Sequence, residues 1–229
     1  MRRTNEKKKF VRKKKKNLDD LSQISTLKEE KTSLSSQISQ LETSSEMIYN
    51  SYSELFKSFL TLMFNSLDLN HEDRISVYKV TSNQEEECFE LIGRVSDNPL
   101  LEKPGRKSYP ITQGFISEGW KKGEFVVEEL PEYSNFDEYY EKILTFAQIE
   151  RDVIEQINMK SRNYFIFRLK IDGKPIGILV FESLEPNKLK IENIKSRITE
   201  IESQLKDFVH KRISKDIFNS SVTAVESGF

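Results

Sequence analysis

Between residues 162 and 182 apolar and polar positions alternate with the period of a strand, pause at one turn, and resume. Phe165, Phe167, Leu169 and Ile171 fall on one face, Asp172-Gly173 is a two-residue turn pair, and positions 176–181 are apolar on both faces. The pattern predicts an antiparallel hairpin whose second strand is central in its sheet, because a strand covered on both faces has no need of a polar side. Further strands are predicted at 75–80, 88–95 and 125–129, with Glu85 to Glu87 in the loop joining the first two. Pro99 ends the strand at 88–95, since it has no N–H to give a ladder. Helical spacing marks 114–121 and 136–157. A last helix follows Pro186-Asn187, where Ile191, Ile194, Ile198, Ile201, Leu205 and Phe208 step by alternating threes and fours.

The N-terminal third has no strand pattern. Ile24, Leu27, Leu34, Ile38 and Leu41 recur at coiled-coil spacing, interrupted by Lys31. Ile48, Tyr52, Leu55, Phe59, Leu62 and Met63 then form a wider stripe, as expected where a helix leaves a two-helix seam and packs on a domain. The expected organisation is a basic disordered tail over 1–17, a coiled coil over 18–46, an α+β domain over 47–213 that includes its first and last helices, and a C-terminal tail over 214–229.

Charge sharpens this division. Residues 1–16 hold ten Lys or Arg against one Glu, a net of +9 that leaves −10 for the rest of a chain whose total is −1. Such a basic tail suits contact with nucleic acid or an anionic membrane. Cys88 is the single cysteine and only His71 and His210 accompany it, so neither an internal disulfide nor a Cys/His zinc site can be assembled. No run approaches the roughly 18 apolar residues of a membrane span. A cytoplasmic setting is expected. Phosphate loops of the Gly-rich Lys-Ser/Thr kind, nucleophile elbows and His-Glu-x-x-His helices are all missing, which leaves no recognisable reacting group.

Pro110 with Gly114 four residues on, the short helix carrying Trp120 up to Gly123, the strand after it, and the hairpin that opens at Ser161-Arg162 and returns through Ile176-Gly177 form a set. Over roughly residues 47–210 this set resembles the GAF domain family, the sensor and dimerisation modules of signalling proteins. The resemblance implies an antiparallel sheet flanked by helices, and a small molecule held between the sheet and the loops and short helices covering one face. It places Arg94, Ser96, Asn98, Arg106, Tyr109, Trp120, Lys160 and Arg162 near that ligand. Guanidinium forks bind carboxylate or phosphate, so Arg94, Arg106 and Arg162 point to a phosphorylated or acidic ligand. Relatives that reduce methionine sulfoxide rely on several cysteines, and with one cysteine this chain is expected not to be an enzyme and to carry no cofactor or metal. The resemblance also implies a homodimer paired through the terminal helices, at Ile191, Ile194, Ile198, Ile201, Leu205 and Phe208 and along Leu27, Leu34 and Leu41, passing a signal to an effector protein. The alternative is a ligand-free dimeric scaffold whose basic tail docks on nucleic acid, an anionic membrane or an acidic partner.

Overall fold

The computed structural model describes residues 2–83, 86–106 and 108–226, with side chains over 20–81, 86–106 and 108–211. It divides into two compact units, Met1–Tyr52 and Ser53–Phe229. The first consists of helix α1 (Arg2–Ser66) as far as residue 52. No Gly or Pro occurs before Gly93, so nothing in the sequence interrupts this helix, and it takes in the stretch expected as a basic tail. The basic side chains of residues 1–16 lie outside the described residues. In this unit Leu27, Leu34 and Leu41 are 62%, 58% and 69% exposed, and Ile24, Ile38 and Ile48 are exposed beside them.

The second unit is an α+β sandwich around one antiparallel sheet. Its strands are β1 (Asp73–Asn83), β2 (Glu86–Val95), β3 (Ser108–Pro110), β4 (Glu124–Val127), β5 (Asn163–Ile171) and β6 (Lys174–Ser183), in the spatial order β3-β2-β1-β6-β5-β4. β6 sits between β1 and β5, the central place its two apolar faces require. Asp172 and Gly173 take φ values of 49° and 78°, as a two-residue turn matching the twist of its strands demands. Residues 84–85, part of the expected loop, lie outside the described residues.

Strand parity sends side chains to two separate cores. Phe165, Leu169, Leu179, Phe181, Ile75 and Val77 face the first, which α6 (Ile191–Glu226) and the end of α1 cover. Phe56, Leu60, Met63 and Phe64, spaced as one helix face, are buried there, and Phe56 stacks on Phe208 of α6 with ring centroids 4.8 Å apart. α1 comes so close that a Cβ on Gly93 of β2 would lie 2.6 Å from the Phe56 ring. Ile194, Ile198, Ile201, Leu205 and Val209 of α6 are buried in the same core, with Ile191 and Phe208 packed on it half-buried. The seam expected to pair two protomers is therefore the face that α6 lays on its own sheet. α6 contains no Gly or Pro and runs on to Glu226, through most of the stretch expected as a tail.

The opposite face is covered by α3 (Gly114–Lys122), α4 (Phe136–Leu144) and α5 (Arg151–Gln156). The single helix expected over 136–157 is two helices with an irregular link at 145–150. Phe146, Ala147 and Ile149 of that link all pack on the core. The Gln148 carbonyl accepts from Gly114 N–H at 3.0 Å, joining the link to the start of α3. A four-residue helix, α2 (Pro99–Glu102), is capped by the Asn98 side chain, which accepts from Leu100 N–H.

Candidate functional site

Between the second core face and its helical cover lies a half-open cavity of about 110 Å³. The sheet supplies the floor: Arg74 and Tyr78 from β1, Tyr164 and Ile166 from β5, Val180 and Glu182 from β6. The walls are largely aliphatic. Ile116 comes from α3, Ile143 from α4, Ile149 from the link, and Val153, Ile154 and Ile157 from α5 and its end. Tyr109, Gln113, Gly114, Phe115, Tyr139 and Lys160 complete the lining. The break in the expected 136–157 helix leaves α4, the link and α5 each contributing to this wall.

The floor is built on a buried ion pair. Arg74 and Glu182 are direct cross-strand neighbours, and Tyr164 faces Glu182 from the other side. Arg74 donates Nε–H to Glu182 Oε2 at 2.8 Å, its Nη2 lies 2.6 Å from the same oxygen, and its Nη1 donates to the Leu101 carbonyl at 3.3 Å. Ser161 Oγ donates to the other carboxylate oxygen at 3.2 Å. Both charged side chains are 7% exposed. Burial alone would lower the Arg74 pKa, but the charge and hydrogen bonds of Glu182 outweigh it and hold the guanidinium above its usual value. A charge pair this satisfied presents no net charge to the cavity.

Three phenols surround this pair. Tyr139 donates its hydroxyl to the Ser161 carbonyl at 2.9 Å. Tyr78 accepts from Arg94 Nη2 at 3.0 Å, and burial pushes its phenol up to about 12 even though Arg94 works the other way. Burial also raises Tyr139 and Tyr164, and the Glu182 charge adds to the rise in all three. Lys160 lies at the edge. Its ammonium donates to the carbonyls of Ile154 and Glu155 at 2.7 and 2.9 Å, closing the end of α5, and burial lowers its pKa against the pull of Glu155.

Of the residues the sequence placed near a ligand, Tyr109 and Lys160 line the cavity. Arg106 stands one layer out: both its Nη atoms donate to Gln113 Oε1, and its guanidinium lies 5.0 Å from the Tyr109 ring centroid, so it orients two lining residues. Arg94 is behind Tyr78, held by Ser76 Oγ and the Lys103 carbonyl. Ser96 and Asn98 shape the turn after β2: Ser96 Oγ donates to the Asp73 carbonyl at 2.7 Å, and Asn98 caps α2. Trp120 packs its ring edge on Phe89, and Arg162 donates to the Leu130 carbonyl and pairs with Glu132. The three arginines do not converge. The cavity's arginine is Arg74, which, like Glu182, Tyr78, Tyr139 and Tyr164, the sequence pattern did not single out. Its signal was a polar residue at the inner parity of a strand end.

Among the described residues no group of three or more His, Cys, Asp and Glu side chains is placed to hold a metal ion, and no helix is long and apolar enough to cross a membrane. Cys88 Sγ is 3.2 Å from Thr81 Oγ1 inside the sheet.

No family model matches the chain, and no curated protein matches it. Solved structures do resemble it. The GAF domain of a phosphoenolpyruvate-protein phosphotransferase from Coxiella burnetii aligns with a TM-score of 0.51 at 11% identity, over 72% of this chain and 86% of that one. The corresponding GAF domain from Acinetobacter gives 0.49 at 15% identity, over 71% and 84%. The architecture is thus GAF-like, a six-stranded antiparallel sheet flanked by helices with a long N-terminal helix. A type II free methionine-R-sulfoxide reductase from Thermoplasma acidophilum also aligns, at 0.48 and 13% identity over 71% and 94%. The expectation that the chain is not an enzyme is corrected by this result. Reductases are among the structures that align with the chain, and the scarcity of cysteine and histidine gives no ground for excluding catalysis.

Proposed function

We propose that the chain is a small-molecule-binding signalling module, with its ligand in the cavity beneath α3 and α5 and with α1 pairing to a second copy through its leucine row. One observation carries the reading: a largely apolar cavity in a GAF-like sheet, floored by a buried, hydrogen-bonded Arg74–Glu182 pair. Pockets for small molecules have this make-up, apolar walls with a few fixed polar groups. β6 offers a route for the signal. Val180 and Glu182 face the cavity, while Leu179 and Phe181 face α1 and α6, so a shift of this strand on ligand binding changes the helix packing behind it. Such coupling requires the ligand to bind two helix arrangements with different affinity. Leu27, Leu34 and Leu41 are exposed at seven-residue steps, which suits a two-helix seam with a second protomer.

Native mass spectrometry of the purified chain tests both halves. The reading expects a dimer, with a small extra mass that is lost on denaturation, and a monomer for the double variant Leu34→Asp, Leu41→Asp. A dimer that survives both substitutions excludes the α1 seam. A dimer that stays empty after exposure to a small-molecule library shifts the balance to a scaffold whose basic stretch docks on an anionic partner.

A further inference from the structure

We infer that the cavity takes a compact uncharged molecule, an apolar ring or branched chain of about benzene size bearing one hydroxyl group, and that it rejects carboxylates and phosphates. The inference rests on the ligand-binding reading of this cavity and fixes the class of ligand. Size comes first. The space is about 110 Å³, and a dry apolar cavity of roughly 150 Å³ holds benzene. The surrounding Ile116, Ile143, Ile149, Val153, Ile154 and Ile157 offer a ligand body only dispersion and the removal of apolar surface from water.

Charge comes second. Each nitrogen of Arg74 already has a protein acceptor, and Glu182 cancels its charge at the floor. An anion entering beside them meets the Glu182 carboxylate as well as the guanidinium, and must leave its water against a pair whose charges cancel. The three tyrosines sample this environment directly. Burial first, and the Glu182 charge with it, hold all three phenols against ionisation, so a second negative charge is penalised wherever a hydroxyl meets the cavity floor. Lys160 does not reverse this, since its ammonium is directed at the α5 carbonyls.

Hydrogen bonding comes third. Glu182 Oε1 accepts from Ser161 and keeps lone pairs to accept a second proton. Tyr78 accepts from Arg94, so its own hydrogen is the donor it has to offer. The Glu182 acceptor and the Tyr78 donor, both on the floor, match a hydroxyl, which both donates and accepts. A carboxylate can only accept, and would set oxygen against oxygen at Glu182.

The test titrates five probes against the full chain by calorimetry and thermal melting: phenol, cyclohexanol, benzene, benzoate and phenyl phosphate. Phenol and cyclohexanol are expected to bind and raise the melting temperature, benzene to bind about tenfold more weakly for want of the hydroxyl, and the two anions to give no signal at the same concentration. Tyr78→Phe should weaken phenol by about fivefold to tenfold and leave benzene unchanged. Val153→Trp, which fills the half-buried wall of α5, should abolish binding of every probe at an unchanged melting temperature of the free protein. Benzoate or phenyl phosphate binding as tightly as phenol, in a manner that Val153→Trp removes, overturns the uncharged class while leaving the cavity a ligand site. Silence from all five probes overturns the ligand-binding reading itself.

Discussion

Replacing Arg74 by Met removes one half of a charge pair and leaves the other half in place. Glu182 would keep the Ser161 hydrogen bond but lose the bonds from Nε and Nη2, inside a site where its side chain is 7% exposed. The Leu101 carbonyl would lose its Nη1 donor as well. An uncompensated charge buried this way costs about 3–5 kcal/mol, whereas exchanging both partners for apolar residues of similar volume is often neutral or stabilising by about 1–4 kcal/mol. The expectation is therefore strongly non-additive: a loss of about 3–5 kcal/mol for Arg74→Met, a similar loss for Glu182→Leu, and a change within about 1 kcal/mol for the double variant. Urea denaturation at constant pH reads all three, with the slope of each curve checking that the same surface is exposed on unfolding. In a unit of this size a loss of about 3–5 kcal/mol lowers the melting temperature by roughly 6–20 °C. Additive effects, or an Arg74→Met variant within about 1 kcal/mol of the parent, would show that water reaches the pair, and the argument for an uncharged cavity floor would fail with it.

The face of α6 makes a second prediction. Ile198 is 1% exposed against the protein's own sheet, so Ile198→Asp buries an unpaired carboxylate and should cost about 4 kcal/mol or more, yielding loss of near-ultraviolet circular dichroism instead of a folded monomer. Gly119 lies inside α3, where Ala would gain about 1 kcal/mol in helix propensity. Its Cβ would stand 2.2 Å from Ile166 Cγ2 and 2.9 Å from Ile166 Cβ, and because the Ile166 Cβ cannot rotate away, overpacking of about 1–3 kcal/mol should prevail. A more stable Gly119→Ala variant, measured by thermal melting, would mean α3 lifts freely from β5. The buried phenols predict alkaline destabilisation: a folded-state pKa raised above the unfolded value near 10 gives stability that is complete below pH 10 and falls as pH rises toward the folded value, which for Tyr78 is about 12. Tyr78→Phe should flatten this decline by up to about 1.4 kcal/mol per pH unit in urea titrations from pH 9 to 11, and an unchanged slope would place the Tyr78 hydroxyl in water.

The fold was far more legible in the sequence than the site, and the reasons are physical. A hairpin announces itself locally: the alternation of Phe165, Phe167 and Leu169, then Asp172-Gly173, then an apolar run, sits within some twenty residues, and the structure has its strands at Asn163–Ile171 and Lys174–Ser183. Pro110 and Gly114 bracket a turn into α3, and Gly114 adopts a φ of 71° that side-chain-bearing residues rarely take. The cavity floor has no local signature. Arg74 and Glu182 are 108 positions apart and meet only because β6 inserts beside β1. Picking arginines by charge favoured Arg94, Arg106 and Arg162, each of which turns out to serve a carbonyl, a hydroxyl or a neighbouring side chain. The periodicity of 136–157 concealed a break, because Phe146, Ala147 and Ile149 are apolar in any conformation and only the packing of the link against α3 decides theirs. Likewise the apolar steps of α6 look the same whether they meet a partner helix or a sheet, and the sheet claimed them.

The central claim, a small molecule seated between the sheet and α5, is most directly tested by isoleucine-methyl NMR with phenol titrated into the labelled chain. The account predicts shifts confined to Ile116, Ile143, Ile149, Ile154, Ile157 and Ile166 around the cavity, with Ile75, Ile194 and Ile198 in the opposite core moving only as far as the sheet carries them. Shifts that are largest at Ile194 and Ile198, or spread evenly over both cores, would contradict it.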